Sequence, residues 1–90
     1  MRERRIHERI PVDTEIRLYH DSFGTLQGRI RNISASGVLV MLHESAVRVD
    51  CAAINCLHLR PVNVDFLFSM QPIRHTNEGI VLRFIDEPID

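Results

Sequence analysis

The sequence predicts an all-β fold, a small antiparallel barrel. Three observations point to it. Apolar residues recur with a period of two rather than with the helical repeat. Five to seven such short runs are separated by turn-forming clusters. And 90 residues leave room for a single core. Closing such a sheet on itself also removes the free edges through which strands aggregate. A composition of 44% apolar and 26% charged residues is that of a folded domain, not a disordered chain.

The runs follow one another with clear punctuation. From Thr14 to Tyr19, Ile16 and Leu18 share one face while Arg17 and Tyr19 share the other. His20-Asp21-Ser22-Phe23-Gly24 reads as a hairpin turn. A second strand from Leu26 to Ile33 has Leu26 and Ile30 inward and Arg29 and Arg31 outward. Ser34-Ala35-Ser36-Gly37 forms the next turn, and Val38 to Leu42 is apolar on both faces, as in a central strand. Residues 46–56 fit either a strand through Val47 and Val49 or a short helix through Val47, Cys51 and Ile54, with the strand preferred. Alternation returns at Asn55 to Arg60 through Leu57 and Leu59, and is cleanest at Val62, Val64, Phe66 and Phe68. Pro61 divides these two runs, because proline cannot donate to a ladder. Thr76-Asn77-Glu78-Gly79 is a last turn before a strand from Ile80 to Ile85. Residues 1–11 carry no strand pattern and read as an arm, leaving 12–90 for the barrel.

Several function classes fall away. No apolar run is long enough to span a membrane, and no apolar stretch of signal-peptide type follows the N-terminus, so a cytoplasmic location is expected. Cys51 and Cys56 are expected to stay reduced. Five histidines stand singly and are expected at the surface. With no Cys-x-x-Cys or His-x-x-x-His pair to hold zinc, no metal site and no cofactor are expected. No phosphate loop, nucleophile elbow or His-Glu-x-x-His occurs, so binding is a better class than catalysis and no catalytic residue is assigned.

The charge pattern narrows the partner. Net charge is −1, which gives no general attraction to nucleic acid. Yet all 11 basic residues are arginine, and Arg2, Arg4, Arg5 and Arg9 lie within the first nine positions. A guanidinium is a planar fork that grips phosphate or the O6/N7 edge of guanine, and it stacks on bases. The same arginines would equally serve as a solvated tail. A second cluster, Asn32-Ile33-Ser34-Ala35-Ser36-Gly37, leaves a strand and turns sharply. Asn32 and Ser34, two apart, are expected on one face with an amide and a hydroxyl to offer, and Gly37 allows positive φ or close approach of a ligand. A turn capped by its own Asn and Ser side chains has the same composition.

Taken together, Arg5-x-x-x-Arg9 and Asn32-x-Ser34-x-x-Gly37 resemble the signature of the PilZ domain family, and Gly79-Ile80-Val81-Leu82-Arg83-Phe84 is similar to that family's closing strand. The resemblance implies a six-stranded antiparallel barrel that binds the bacterial second messenger cyclic di-GMP. It implies phosphate and guanine contacts for Arg5 and Arg9, guanine contacts for Asn32 and Ser34, and a turn at Gly37 that leaves room for the ligand. A basic residue at position 4, here Arg4, implies two intercalated nucleotides per chain. Leu39 or Met41 is placed to offer apolar surface beneath a base. The arm is expected to fold over the barrel when ligand arrives, changing the surface shown to an unidentified protein effector. Residues 43–61 depart from the family's usual hairpin, and the sequence ends soon after Phe84, where many members continue into a helix. Two rival readings stand beside this one. One is a PilZ-like interaction module independent of nucleotide. The other is a nucleic-acid-binding barrel, which the charge, the lack of Trp and the scarcity of aromatics disfavour.

Overall fold

The computed structural model describes residues 10–44 and 48–85. Six strands follow in order: β1 (Glu15–His20), β2 (Gly24–Ile33), β3 (Gly37–Leu42), β4 (Leu57–Pro61), β5 (Phe68–Thr76) and β6 (Gly79–Phe84). All neighbours are antiparallel and the sheet closes as β1-β2-β3-β6-β5-β4. The fold is therefore the all-β, six-stranded antiparallel barrel that the alternating runs predict. No helix among the described residues is long and apolar enough to cross a membrane.

Period-two burial drives the closure. Ile16 and Leu18 of β1, Ile30 of β2, Val40 of β3, Leu57 and Leu59 of β4, Met70 of β5, and Ile80 and Leu82 of β6 are all sealed from solvent. Each of these strands would leave its apolar face wet if the sheet stayed open. Pairing Leu18 with Leu59 across the β1–β4 seam buries both faces at once. Phe68 and Phe84 meet edge to face at 5.5 Å, where β5 begins and β6 ends.

Three expectations need correction. Over 48–56 the chain is a turn-containing connection, not a strand; it contributes Val49 and Ile54 as isolated plugs to the core. Asp50 shapes that turn, its carboxylate accepting from the Ala52 and Ala53 N–H groups. The alternation from Val62 to Phe66 is likewise no strand. Pro61 ends β4, the chain turns to reach β5, and Val62 and Phe66 are exposed, so only Phe68 of that run is buried. Finally, β5 occupies 68–76, where Pro72 and the polar residues Ser69, Gln71 and Arg74 hide the strand pattern.

Two irregularities decide which side chains reach the outside. In β2, Leu26, Gly28 and Ile30 point inward, so strict alternation would send Asn32 into the core. The register instead steps from Ile30↔Val40 to Asn32↔Leu39, making Arg31 an extra residue. Asn32 thereby faces out, and Ile33 packs against the core. In β5 the register steps from Pro72↔Leu82 to Arg74↔Val81, with Ile73 as the extra residue. That second bulge keeps Arg74 outside in the same way. Deleting Arg31 should therefore leave Asn32 directly after Ile30 in a regular ladder, still facing outward with Ile33 against the core, and should change stability by less than about 1 kcal/mol. Arg31→Ala, which keeps the chain length, should change stability by less than about 1 kcal/mol. Urea denaturation of the two variants compares them directly, and a deletion that costs more than about 2 kcal/mol beyond Arg31→Ala would refute the parity argument.

Candidate functional site

The bulges create a continuous row across the outer face of four strands. Asn32, Leu39, Val81 and Arg74 are successive cross-strand neighbours on β2, β3, β6 and β5. Leu39 and Val81 are half-buried although they lie outside the barrel, and they form an apolar floor. This explains why β3 is apolar on both faces. Asn32, Ser34 and Gly37 gather at one end of that floor, around a depression of about 250 Å³ that Ile73 and Arg83 complete.

Each motif residue has a definite local role. The Asn32 Oδ1 accepts from the Ile33 N–H at 2.8 Å, which leaves the amide NH2 pointing its donors outward. The Ser34 Oγ accepts from the Ser36 and Gly37 N–H groups, both at 3.3 Å, and lies 3.3 Å from the Ser36 hydroxyl. The Ser34 N–H donates to the Gly37 carbonyl at 2.8 Å, and the Phe84 N–H donates to the Ser36 carbonyl at 2.9 Å. Ser34 thus builds a tight turn and Ser36 ties it to β6. Ser34 lies beyond the end of β2, so the turn, not strand periodicity, brings it beside Asn32.

Gly37 corrects another expectation. Its φ is not positive; it is the first residue of β3 and pairs with Arg83. A Cβ at this position would collide with the Leu82 carbonyl oxygen. The close approach that demands glycine is therefore that of the β6 backbone. The missing side chain also clears the space beside Arg83. Arg83 and Ile73 carry no local motif, and only the register of β6 against β3 and β5 brings them to the depression. The alternation of Ile80, Leu82 and Phe84 was the one sequence signal that Arg83 faces outward. Arg4, Arg5 and Arg9 fall outside the described residues.

Electrostatics on this face are unbalanced. Among the described residues the ion pairs are Arg29–Glu15, His43–Glu15 and Arg60–Asp65, so Arg31, Arg48, Arg74 and Arg83 have no carboxylate partner. Glu15 is the hub of a tie between β1, β2 and the end of β3. Its Oε1 lies 2.7 Å from the His43 Nε2, and its Oε2 accepts from Arg29 at 3.1 Å. The hydrogen bond from His43 lowers the Glu15 pKa, partial desolvation pulls the other way, and Arg29 adds to the lowering.

His75 departs from a plain surface role. It is half-buried, and its Nε2 lies 3.1 Å from the Val49 N and 3.0 Å from the Val49 O. Which of the two it engages depends on the tautomer. Among the described residues no cluster of three or more His, Cys, Asp or Glu forms that would hold a metal ion. Cys51 and Cys56 are both free thiols, and burial raises the Cys51 pKa, which makes its thiolate harder to form.

The fold and this face define a closed β-barrel with an external depression that has an apolar floor and a polar rim, an architecture suited to binding. No protein-family model matches the chain, and no curated protein matches it.

Two outcomes follow from this geometry. Gly37→Ala should lower stability by about 1–3 kcal/mol, because β3 and β6 must separate to admit a methyl group; denaturant unfolding measures it, and an unchanged midpoint would contradict the close approach. The Glu15 tie has a defined pH window. A carboxyl whose folded pKa lies below its ordinary 4.5 contributes stability that is present above that value and lost as pH falls through the folded pKa. Melting temperatures of wild type and Glu15→Gln should therefore differ near neutrality and converge in acid. A gap that persists at low pH would show the tie to be irrelevant.

Proposed function

We propose that this domain is a receptor for cyclic di-GMP that regulates a protein partner by changing the surface it presents. The observation that carries the reading is the gathering of Asn32, Ser34 and Gly37 around one depression on the outside of a six-stranded barrel. These residues belong to the second half of the signature that the sequence shares with the PilZ family. The chemistry supports the reading. Cyclic di-GMP presents two guanines and two phosphates, so its receptor needs base-edge donors, an apolar floor and guanidiniums together. Asn32 has outward donors, Leu39 and Val81 supply the floor, and Arg83 adds a cation from the barrel itself.

Size supports a composite site. A depression of about 250 Å³ lies below the roughly 300–1,000 Å³ usual for a small-molecule pocket, so the barrel receives only part of the ligand. The rest falls to the arm, where Arg5 and Arg9 grip phosphate and guanine and Arg4 favours a second, stacked nucleotide. The ligand then acts as a clip between arm and barrel.

A second reading, an interaction module that works without nucleotide, draws on one feature. Phe66 and Leu67, 44% and 50% exposed, stand side by side in the β4–β5 connection near Tyr19 and His58. Aromatic and aliphatic side chains left in water mark a contact surface. Calorimetry separates the readings. Cyclic di-GMP should bind with micromolar or tighter Kd at two per chain. Arg5→Ala or Arg9→Ala should weaken binding at least about tenfold, since a charge-assisted hydrogen bond contributes about 1.5–3 kcal/mol. Arg4→Leu should move the count toward one. Wild-type protein giving no heat and no rise in Tm at saturating nucleotide would leave the interaction module standing.

A further inference from the structure

A larger groove, of about 580 Å³, lies beyond the same face at the β5–β6 turn, and it shares no lining residue with the depression at Asn32. Its volume is that of an ordinary small-molecule site. Arg31, outward-facing and the extra residue of the β2 bulge, contributes one guanidinium, and Arg48, in the β3–β4 connection, contributes another. Neither has a carboxylate within ion-pair distance among the described residues. Met41 and Leu42, both half-buried, supply apolar lining, and Asn77 and Glu78 of the β5–β6 turn add polar groups.

The position of Arg48 is built, not incidental. Its neighbour Val49 is anchored in the core, and the Val49 backbone is held by the His75 ring. That contact fastens the connection to β5 and fixes where the Arg48 side chain begins. His75 is thus a positioning residue for this groove.

We infer that this groove is a binding site for a nucleoside monophosphate. Arg31 and Arg48 together supply two positive charges and forked donors, which suit a single phosphate. Methionine and leucine beside them provide a polarisable apolar surface for a planar base. Glu78 places a carboxylate among the same lining residues, which favours a ligand carrying hydroxyl or amino donors and disfavours one with phosphate at both ends. A ribose or base with one phosphate meets all three conditions. The inference does not depend on cyclic di-GMP binding at the other site.

Amide NMR titrations with GMP, AMP, adenosine and inorganic phosphate test it on the full chain. GMP or AMP should shift resonances of Leu42 and of Thr76 to Gly79, while adenosine and phosphate alone should each bind at least tenfold more weakly. The double variant Arg31→Ala/Arg48→Ala should weaken GMP or AMP binding at least tenfold with an unchanged amide fingerprint elsewhere. Arg17→Ala, which removes an exposed arginine of β1 outside the groove, should bind as wild type does. The site is overturned if the double variant keeps wild-type affinity, if Arg17→Ala loses as much as the double variant, if the shifts map to Asn32–Gly37 instead, or if neither mononucleotide binds at millimolar concentration.

Discussion

One extra residue in β2 governs the outer face that carries Asn32. A strand has only two sides, so every inward position determines all the others until the register slips. Ile30 is sealed in the core, and Asn32 would follow it there if Arg31 did not form a bulge. An amide inside an apolar barrel would lose its water partners without replacement. The bulge relieves that conflict: Arg31 stays at the surface, where alternation already puts it, and Asn32 joins it there. Arg31 then lines the groove by the β5–β6 turn, and Asn32 lines the depression by the β2–β3 turn. A single irregularity thus serves two recesses.

The β5 bulge does the same on the opposite side of the face. Ile73 and Arg74 are both turned outward, flanking Val81 as Arg31 and Asn32 flank Leu39. Between the bulges, β3 and β6 run close together, and the two glycines at the opposite ends of their contact permit this. Gly37 meets the Leu82 carbonyl, and Gly79, at φ 151°, meets the Val40 carbonyl. A side chain at either position would force the strands apart. The face therefore combines close backbone contact with arginines that have no carboxylate partner among the described residues.

The barrel needs more than strands to be sealed. Val49 and Ile54 reach the core from an irregular connection, and Ile10 reaches it from ahead of β1. Irregular backbone at the core must find hydrogen-bond partners. At Val49 the partner is His75, whose ring becomes available because the β5 bulge resets the alternation just before it. Core packing and the placement of Arg48 are consequently coupled through one histidine.

The sequence by itself determined the all-β class, the positions of β1, β2, β3 and β6, and the grouping of Asn32, Ser34 and Gly37. These depend on local alternation and on a turn whose hydrogen bonds close within six residues. It misled at 62–66, where a clean alternation belongs to a connection, and it hid β5 behind Pro72 and polar residues. Whether a run is a strand depends on what it pairs with. Only the tertiary structure decided that Arg31 and Ile73 are extra residues, that Gly37 answers to Leu82, and that Arg83 joins Asn32. Each of those facts is a relation between strands distant in sequence, set by the register in which the closing barrel buries its apolar faces, and no local pattern of residues encodes it.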